Sequence, residues 1–114
     1  MRYQIYIASK QYSCYCLRMK ARLLQKLKEE FTGGIVVETV VWELTEATPD
    51  RPNRLKYRLY CGRNGECIVR YDNETGKGDH RHYGTCEESY CYTTFSKLAE
   101  DFLADVERLT GVKL

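Results

Sequence analysis

Apolar and polar residues alternate in short runs through the middle of the chain, and this two-residue period is that of a β-strand. Residues 35–44 are rich in β-branched side chains and lie between Gly33-Gly34 and Pro49, so they predict a strand. In residues 55–61, Leu, Tyr, Leu and Cys alternate with Lys, Arg and Tyr. This second run predicts a strand with a basic outer face.

The next residues predict a hairpin and a short further strand. Asn64-Gly65 is typical of a tight hairpin turn, because both residues accept positive φ angles. Residues 67–71 would return beside the preceding strand, and residues 72–78 have the composition of a loop. Residues 80–83 then predict a short strand that ends at Gly84.

The pattern changes to steps of three and four residues near the C-terminus, which predicts a helix. We expect Thr93 or Thr94 to cap its start and Gly111 to end it. The residues of the apolar stripe are Phe95, Leu98, Ala99, Phe102, Leu103, Val106 and Leu109.

Residues 20–31 leave two alternatives. Leu23, Leu24, Leu27 and Phe31 fit a helical stripe, and the local composition favours helix. The same segment could instead be the first arm of a hairpin that turns at residues 32–34. In either case the pattern predicts an α+β domain: an antiparallel sheet of four to six strands with the C-terminal helix packed on one face.

Composition limits the class of protein. A chain of 114 residues supports one domain, and its 43% hydrophobic content is too high for a disordered protein. No run approaches the length of a membrane span, so no membrane partner is expected. The N-terminus lacks the apolar stretch of a secretory signal, so we expect a cytoplasmic protein.

The formal net charge of +2 is unevenly distributed. Residues 1–18 hold three basic and no acidic groups, and residues 51–81 hold eight basic and four acidic groups. A basic centre of this kind can bind an anionic ligand. Residues 1–18 form an atypical N-terminal extension, either a further strand at residues 3–8 or a segment upstream of the true start at Met19. Residues 19–114 form the single domain.

The six cysteines do not have the Cys-x2-Cys spacing of a zinc knuckle. A site from His82, Cys86 and Cys91 can be drawn, but reduced, half-buried cysteines on strands are the favoured interpretation.

The two histidines are the strongest candidates for chemistry. His80 and His82 lie two apart, so on a strand they point to one face, roughly 6.5–7 Å apart. One imidazole could accept a proton from a 2′-hydroxyl while the other donates one to the leaving oxygen. Asp79 joins them as a catalytic candidate. This mechanism needs no metal or other cofactor. The candidates for phosphate or RNA binding are Arg70, Lys77, Arg81, Tyr71, Asp72 and Asn73.

Other interpretations of the same residues remain open. The histidines could be an inert, hydrogen-bonded strand end, or a metal site completed by Asp72 or Asp79. Tyrosines near the basic stretch could stack on bases, although tyrosines on strands are more often packing residues. A basic strand face could also bind nucleic acid or an acidic protein without any catalysis; its residues are Lys56, Arg58 and Arg70.

From Met19 to Leu109 the chain resembles the TumE family, toxins of toxin–antitoxin operons. The shared segments are residues 36–42, 56–59, 69–73 and 76–82 and the C-terminal helix. The resemblance favours a strand for residues 20–31 and a start at Met19. It implies a toxin neutralised by a cognate DNA-binding antitoxin.

By analogy with other small toxins, we expect a metal-independent ribonuclease that acts on RNA. The alternative is a non-catalytic nucleic-acid or protein-binding module that inhibits by occupancy. A homodimer is one alternative for the oligomeric state.

Overall fold

The computed structural model describes residues 2–6, 13–16 and 19–114, with side chains from Ala21 onward. The described residues form eight strands and one helix. The strands are β1 (Arg2–Tyr6), β2 (Ser13–Cys16), β3 (Met19–Phe31), β4 (Ile35–Leu44), β5 (Leu55–Arg63), β6 (Glu66–Asp72), β7 (His80–Tyr83) and β8 (Cys86–Ser89), and the helix is α1 (Phe95–Thr110).

Strands β3 to β8 form an open antiparallel sheet in which each strand pairs with the next one in sequence. Strands β1 and β2 both pair with the outer edge of β3, at its two ends. The predicted α+β class, with an antiparallel sheet and a C-terminal helix, is confirmed. Of the strand predicted at residues 3–8, the last two residues lie outside the described part of the chain.

The ambiguous segment is a strand. β3 pairs with β4 from Phe31 opposite Ile35 to Ala21 opposite Leu44, with one bulge near Leu24. Gly33 and Gly34 make the turn between the two strands with φ angles of 84° and 79°, a region that glycine adopts without strain. Pairing along the whole length of β4 outweighs the helix propensity of this segment, since propensity is a weak preference that tertiary context overrides.

Helix α1 begins and ends where its sequence predicts. The Thr94 hydroxyl accepts a hydrogen bond from the Lys97 backbone N–H at 3.1 Å, and Gly111 adopts the left-handed conformation after the last turn. The buried side chains Leu98, Phe102 and Val106 pack against one face of the sheet. No helix among the described residues has the length and apolar character that crossing a membrane requires.

The two faces of the sheet have different environments because side chains alternate along each strand. Val69 and Tyr71 on β6 belong to the core cluster that includes the helix residues. The residues between and after them point away from the helix, to the side we call the open face. Its members on β5 to β8 include Arg58, Tyr60, Arg70, Asp72, His80, His82 and Glu87.

Candidate functional site

Strand pairing brings five ionisable side chains together on the open face. Asp72 of β6 lies opposite His80 of β7, and Arg70 lies opposite His82. On the other side of β7, His82 lies opposite Glu87 of β8. The hairpin from β6 to β7 therefore positions both histidines between two carboxylates.

The nitrogen and oxygen atoms of this group are close to one another. Nε2 of His80 lies 3.4 Å from Asp72 Oδ1 and 3.6 Å from Glu87 Oε2. Nε2 of His82 lies 3.8 Å and 3.4 Å from the same two oxygens. The two imidazole rings are tilted, with their centroids 5.3 Å apart. Both Nε2 atoms thus face a common point between the carboxylates.

His80 forms the buried side of the group, with a side chain that is only 6% exposed. Its Nδ1 donates a hydrogen bond to the Gly78 carbonyl oxygen at 2.7 Å. Gly78 has a φ of 74°, which suits glycine at the end of the loop before β7. With Nδ1 protonated, a neutral His80 carries its lone pair on Nε2.

His82 is more accessible, with 14% of its side chain exposed. Arg70 Nη2 donates to His82 Nε2 at 3.1 Å, while Arg70 Nε lies 2.9 Å from Asp72 Oδ2 in an ion pair. Burial, followed by the positive charge of Arg70, lowers the pKa of the His82 imidazole. His82 is therefore held in its neutral form at neutral pH.

Several polar atoms in this group have no hydrogen-bond partner. Among the described residues, the buried side-chain atoms without one are Asp72 Oδ1, His80 Nε2, Arg70 Nε and, outside the group, Thr39 Oγ1. Of these, Arg70 Nε still has the charge of Asp72 beside it in their ion pair. Asp72, His80 and His82 also form the only His, Cys, Asp and Glu cluster with metal-ligand spacing in the described part of the chain, with ligand atoms within 4.8 Å of one another. Buried groups without a partner are unusual and point to an absent ligand or ion.

A shallow depression lies beside this cluster on the open face. It has a volume of about 510 Å³, and its polar lining includes Arg58, Tyr60, Cys67 and Arg70. The Arg58 guanidinium lies over the Tyr60 ring, 5.0 Å from its centroid. Arg70 belongs both to this lining and to the histidine cluster. A second cation and an aromatic ring thus share the depression with Arg70, and the ion pair of Lys28 and Glu38 also lines it.

Residues 17–110 match the sequence model of a family described as Toxin TumE, and the match includes both histidines. The chain belongs to the TumE family. No curated protein and no solved structure gives a significant match to it. The family assignment made from sequence is confirmed, and it makes this protein a member of a toxin family.

In this TumE protein, two of the predicted RNA-binding residues lie on the opposite face. Arg81 Nη1 donates to the Tyr71 hydroxyl at 3.2 Å, and its guanidinium lies over the Tyr83 ring. Tyr71 is buried against the helix, where its hydroxyl donates to Asp105 at 2.5 Å. Neither side chain is positioned to reach a ligand bound at His82.

Asp79 and Asn73 also have contacts away from the cluster. The Tyr57 hydroxyl donates to the Asp79 carboxylate at 2.6 Å. The Asn73 side chain accepts from the Tyr57 N–H at 3.0 Å and donates to the Leu55 carbonyl oxygen at 2.6 Å. These contacts tie the ends of β5 and β6 together. The predicted site residues that the structure does bring together are His80, His82, Arg70, Asp72 and Lys77, whose ammonium lies 3.5 Å from Glu87.

Glu87 was not among the residues predicted for the site. All four residues of β8 are exposed, so they show no apolar alternation that could predict a strand. The four cysteines whose side chains the structure describes differ in part from their predicted half-buried state, because Cys61 is buried and Cys67 partly buried, while Cys86 and Cys91 are exposed. The side chains of Cys14 and Cys16 lie outside the described part.

Proposed function

We propose that this toxin acts on RNA as a ribonuclease, with the RNA backbone lying along the open face. The observation that carries the proposal is the contact between Arg70 and His82, with 3.1 Å between Nη2 and Nε2. It places a phosphate-binding cation beside a neutral imidazole. Arg70 also lines a depression that solvent reaches.

Phosphate binding is assigned to Arg58 and Arg70. They project from adjacent strands into the same depression, and a guanidinium binds phosphate oxygens through paired N–H donors. Lys77 adds a further cation at the other side of the histidines. Tyr60, already in contact with Arg58, offers a ring on which a base can stack.

His82 is assigned the proton transfer. The RNA phosphate takes over the Arg70 N–H donor, which frees the lone pair of His82 Nε2. Nε2 then accepts the proton of the ribose 2′-hydroxyl as the 2′-oxygen attacks phosphorus. The bond from phosphorus to the 5′-oxygen breaks, which leaves a 2′,3′-cyclic phosphate, and the 5′-oxygen takes a proton from water. His82 then returns its proton to solvent. Arg70 stabilises the charge that develops on the phosphoryl oxygens.

This mechanism keeps the metal independence predicted from the sequence but uses one histidine for direct contact with RNA. His80 is too buried to lie on the far side of a phosphodiester, and its ring lies beside that of His82. The roles predicted for Asp79, Arg81, Tyr71 and Asn73 are not part of the proposal, because those side chains have partners elsewhere.

The test is controlled expression of His82→Gln beside the unmodified chain and a Glu66→Gln control, which changes an exposed residue at the β5–β6 turn. We expect His82→Gln to lose toxicity and to leave RNA intact in a purified assay, while the control keeps both activities. If the folded His82→Gln protein remains as toxic and cleaves RNA as fast, the assignment is overturned.

Inhibition by occupancy is the second candidate function, because the Arg58 and Arg70 depression can bind an anion without any chemistry. In that case the purified protein would bind RNA with an affinity that falls steeply as salt rises, yet leave the RNA uncut. Gel electrophoresis of RNA incubated with saturating protein therefore distinguishes the two functions. Cleaved RNA indicates a ribonuclease, and intact RNA indicates inhibition by occupancy.

We further propose that a cognate DNA-binding antitoxin neutralises the protein by direct contact and that both act in the cytoplasm. Membership of a toxin family supports the antitoxin partner. For the toxin alone, a homodimer is the alternative to a single chain. Co-purification with the product of the adjacent open reading frame tests the first point. Size-exclusion chromatography with light scattering tests the last, and a mass of one chain would exclude the homodimer.

A further inference from the structure

We propose that Asp72, His80 and His82 form a binding site for a divalent transition metal ion, with Glu87 as an exchangeable fourth ligand. Two potential metal-binding atoms lie close together without forming a hydrogen bond to each other. His80 Nε2 and Asp72 Oδ1 are both buried and lack a hydrogen-bond partner. A cation between them would satisfy both atoms at once.

The separations fit a metal of ordinary size. Zinc binds histidine nitrogen and carboxylate oxygen at about 2.0–2.2 Å, so two ligands of a tetrahedral site lie about 3.3–3.6 Å apart. The measured distances from the two Nε2 atoms to Asp72 Oδ1 are 3.4 and 3.8 Å. Those to Glu87 Oε2 are 3.6 and 3.4 Å. The ligand atoms of Asp72, His80 and His82 lie within 4.8 Å of one another, so the side chains must rotate to bring them and Glu87 to a single ion.

The surrounding contacts orient these ligands as metal sites require. Histidine ligands usually donate their second ring N–H to a carbonyl or carboxylate, which fixes the tautomer and the ring. His80 does so through Nδ1 to the Gly78 carbonyl oxygen at 2.7 Å. Asp72 uses Oδ2 for the ion pair with Arg70, which leaves Oδ1 directed toward the histidines.

The donor set favours a first-row transition ion. Two imidazoles with one or two carboxylates suit zinc and its neighbours in the series, whereas magnesium and calcium prefer oxygen ligands alone. Glu87 differs from the other ligands in being 39% exposed, on a strand whose four residues all face solvent. It is the ligand most easily displaced by water or by a phosphate oxygen.

Metal binding and the proposed ribonuclease reaction compete for one lone pair. An ion held by His82 Nε2 displaces the Arg70 hydrogen bond and removes the proton acceptor. The metal-bound protein is therefore the inactive form of the proposed ribonuclease. This last consequence rests on the proposed function, while the binding site itself does not.

The experiment uses the full chain, stripped of metal with a chelator and titrated with zinc by calorimetry, and with cobalt by absorption spectroscopy. We expect one ion per chain with a dissociation constant in the micromolar range or below, and a higher melting temperature with zinc. The cobalt spectrum should lack thiolate charge-transfer bands, because no cysteine is among the ligands.

The variants are Asp72→Asn and His82→Gln, with Cys86→Ser as the matched control on the strand that carries Glu87. Each ligand variant should weaken zinc binding by about 100-fold, and the control should leave it unchanged. Circular dichroism without metal checks that each variant folds. If Asp72→Asn does not fold, the result for His82→Gln, which changes a more exposed residue, serves as the test. Binding that is absent in the unmodified chain, unchanged in folded His82→Gln or lost in Cys86→Ser would overturn the site.

Ribonuclease assays separate the two proposals. Cleavage by the stripped protein that stops with one equivalent of zinc supports both. Cleavage only with zinc would overturn the metal-independent mechanism and leave the site standing. Cleavage that continues at saturating zinc would place the reaction elsewhere than at His82.

Discussion

Arg81 and His82 follow one another on β7, and their side chains lie on opposite faces of the sheet. Arg81 reaches under the helix to the Tyr71 hydroxyl at 3.2 Å, whereas His82 Nε2 receives its hydrogen bond from Arg70 at 3.1 Å. The two arginines near the histidines in sequence therefore have different roles. Arg70 contacts His82 on the open face, and Arg81 contacts tyrosines between the sheet and the helix.

Replacing each arginine with alanine should separate activity from stability. Arg70→Ala should lower the rate of RNA cleavage by about 100-fold, because a charge-stabilising donor is lost. Arg81→Ala should leave the cleavage rate of the folded protein nearly unchanged but lower the free energy of unfolding by about 1–2 kcal/mol, through loss of its tyrosine contacts. Chemical denaturation and an RNA assay on both variants provide the check. The reverse pattern would contradict the two assignments.

Asp105 is expected to contribute to stability through its buried hydrogen bonds. The hydroxyls of Tyr71 and Tyr83 both donate to its Oδ2 at 2.5 Å, and Arg108 donates to Oδ1 at 3.0 Å. Asp105→Asn replaces a charged acceptor with a neutral one and should lower the free energy of unfolding by about 1–3 kcal/mol. Urea titration at neutral pH measures this, and exposed Glu107→Gln on the same helix should change stability by less than about 0.5 kcal/mol.

The same carboxyl should make stability depend on pH in acid. Burial alone would raise the pKa of Asp105, but the hydrogen bonds from Tyr71, Tyr83 and Arg108 lower it below its ordinary value of 3.8. Because the unfolded chain binds this proton more readily, the contribution is present above about pH 4 and is lost as the pH falls below it. Asp105→Asn should flatten the decline in melting temperature over that range. An unchanged slope would show that other carboxyls dominate.

Asn73 should be a structural residue despite its place in the predicted binding segment. Its side chain satisfies the backbone N–H of Tyr57 and the carbonyl of Leu55. Asn73→Ala would leave both groups without these partners and should cost about 2–4 kcal/mol in the free energy of unfolding. Thermal denaturation beside Glu74→Ala, an exposed neighbour, is the measurement. A melting temperature equal to that of the control would disprove this role.

Gly62 should tolerate no side chain. A Cβ atom at this position would lie 2.8 Å from the Glu66 carbonyl oxygen and would collide with the Tyr60 ring hydroxyl. Gly62→Ala should therefore lower the free energy of unfolding by about 1–3 kcal/mol and displace Tyr60 from the depression. RNA binding should weaken with it. Stability and RNA affinity equal to those of the unmodified chain would mean that the backbone around Gly62 in β5 adapts freely.

The sheet and helix could be predicted because their apolar periods are strong. The run at residues 35–44 and the stripe from Phe95 to Leu109 leave little choice of structure. Residues 20–31 have a period that fits either state, and only pairing along β4 decides between them. Strand β8 carries no apolar residue that packs into the core, so nothing in its composition distinguishes it from a loop.

Most members of the candidate site could be named from the sequence, but their arrangement could be predicted only along a single strand. The two-residue period places His80 and His82 on one face and assigns Arg81 to the other. Which residues lie opposite them depends on how the loop between β6 and β7 sets the register, and loop composition does not specify that. Pairing of β7 with β6 and β8 therefore places Asp72 and Glu87 in the site. Contacts with β5 hold Asp79 and Asn73 away from it.

The position of Glu87 on the fully exposed β8 also has a dynamic consequence. A strand with no buried side chain is held by backbone hydrogen bonds along one edge, so it opens at a lower free energy than β6, whose Val69 and Tyr71 are completely buried. Amide hydrogens of β8 should exchange with solvent well before those of β6. Each such opening moves the Glu87 carboxylate away from the histidines, while Asp72, His80 and His82 stay in place. The local stability of β8 therefore determines how often solvent can reach these three side chains.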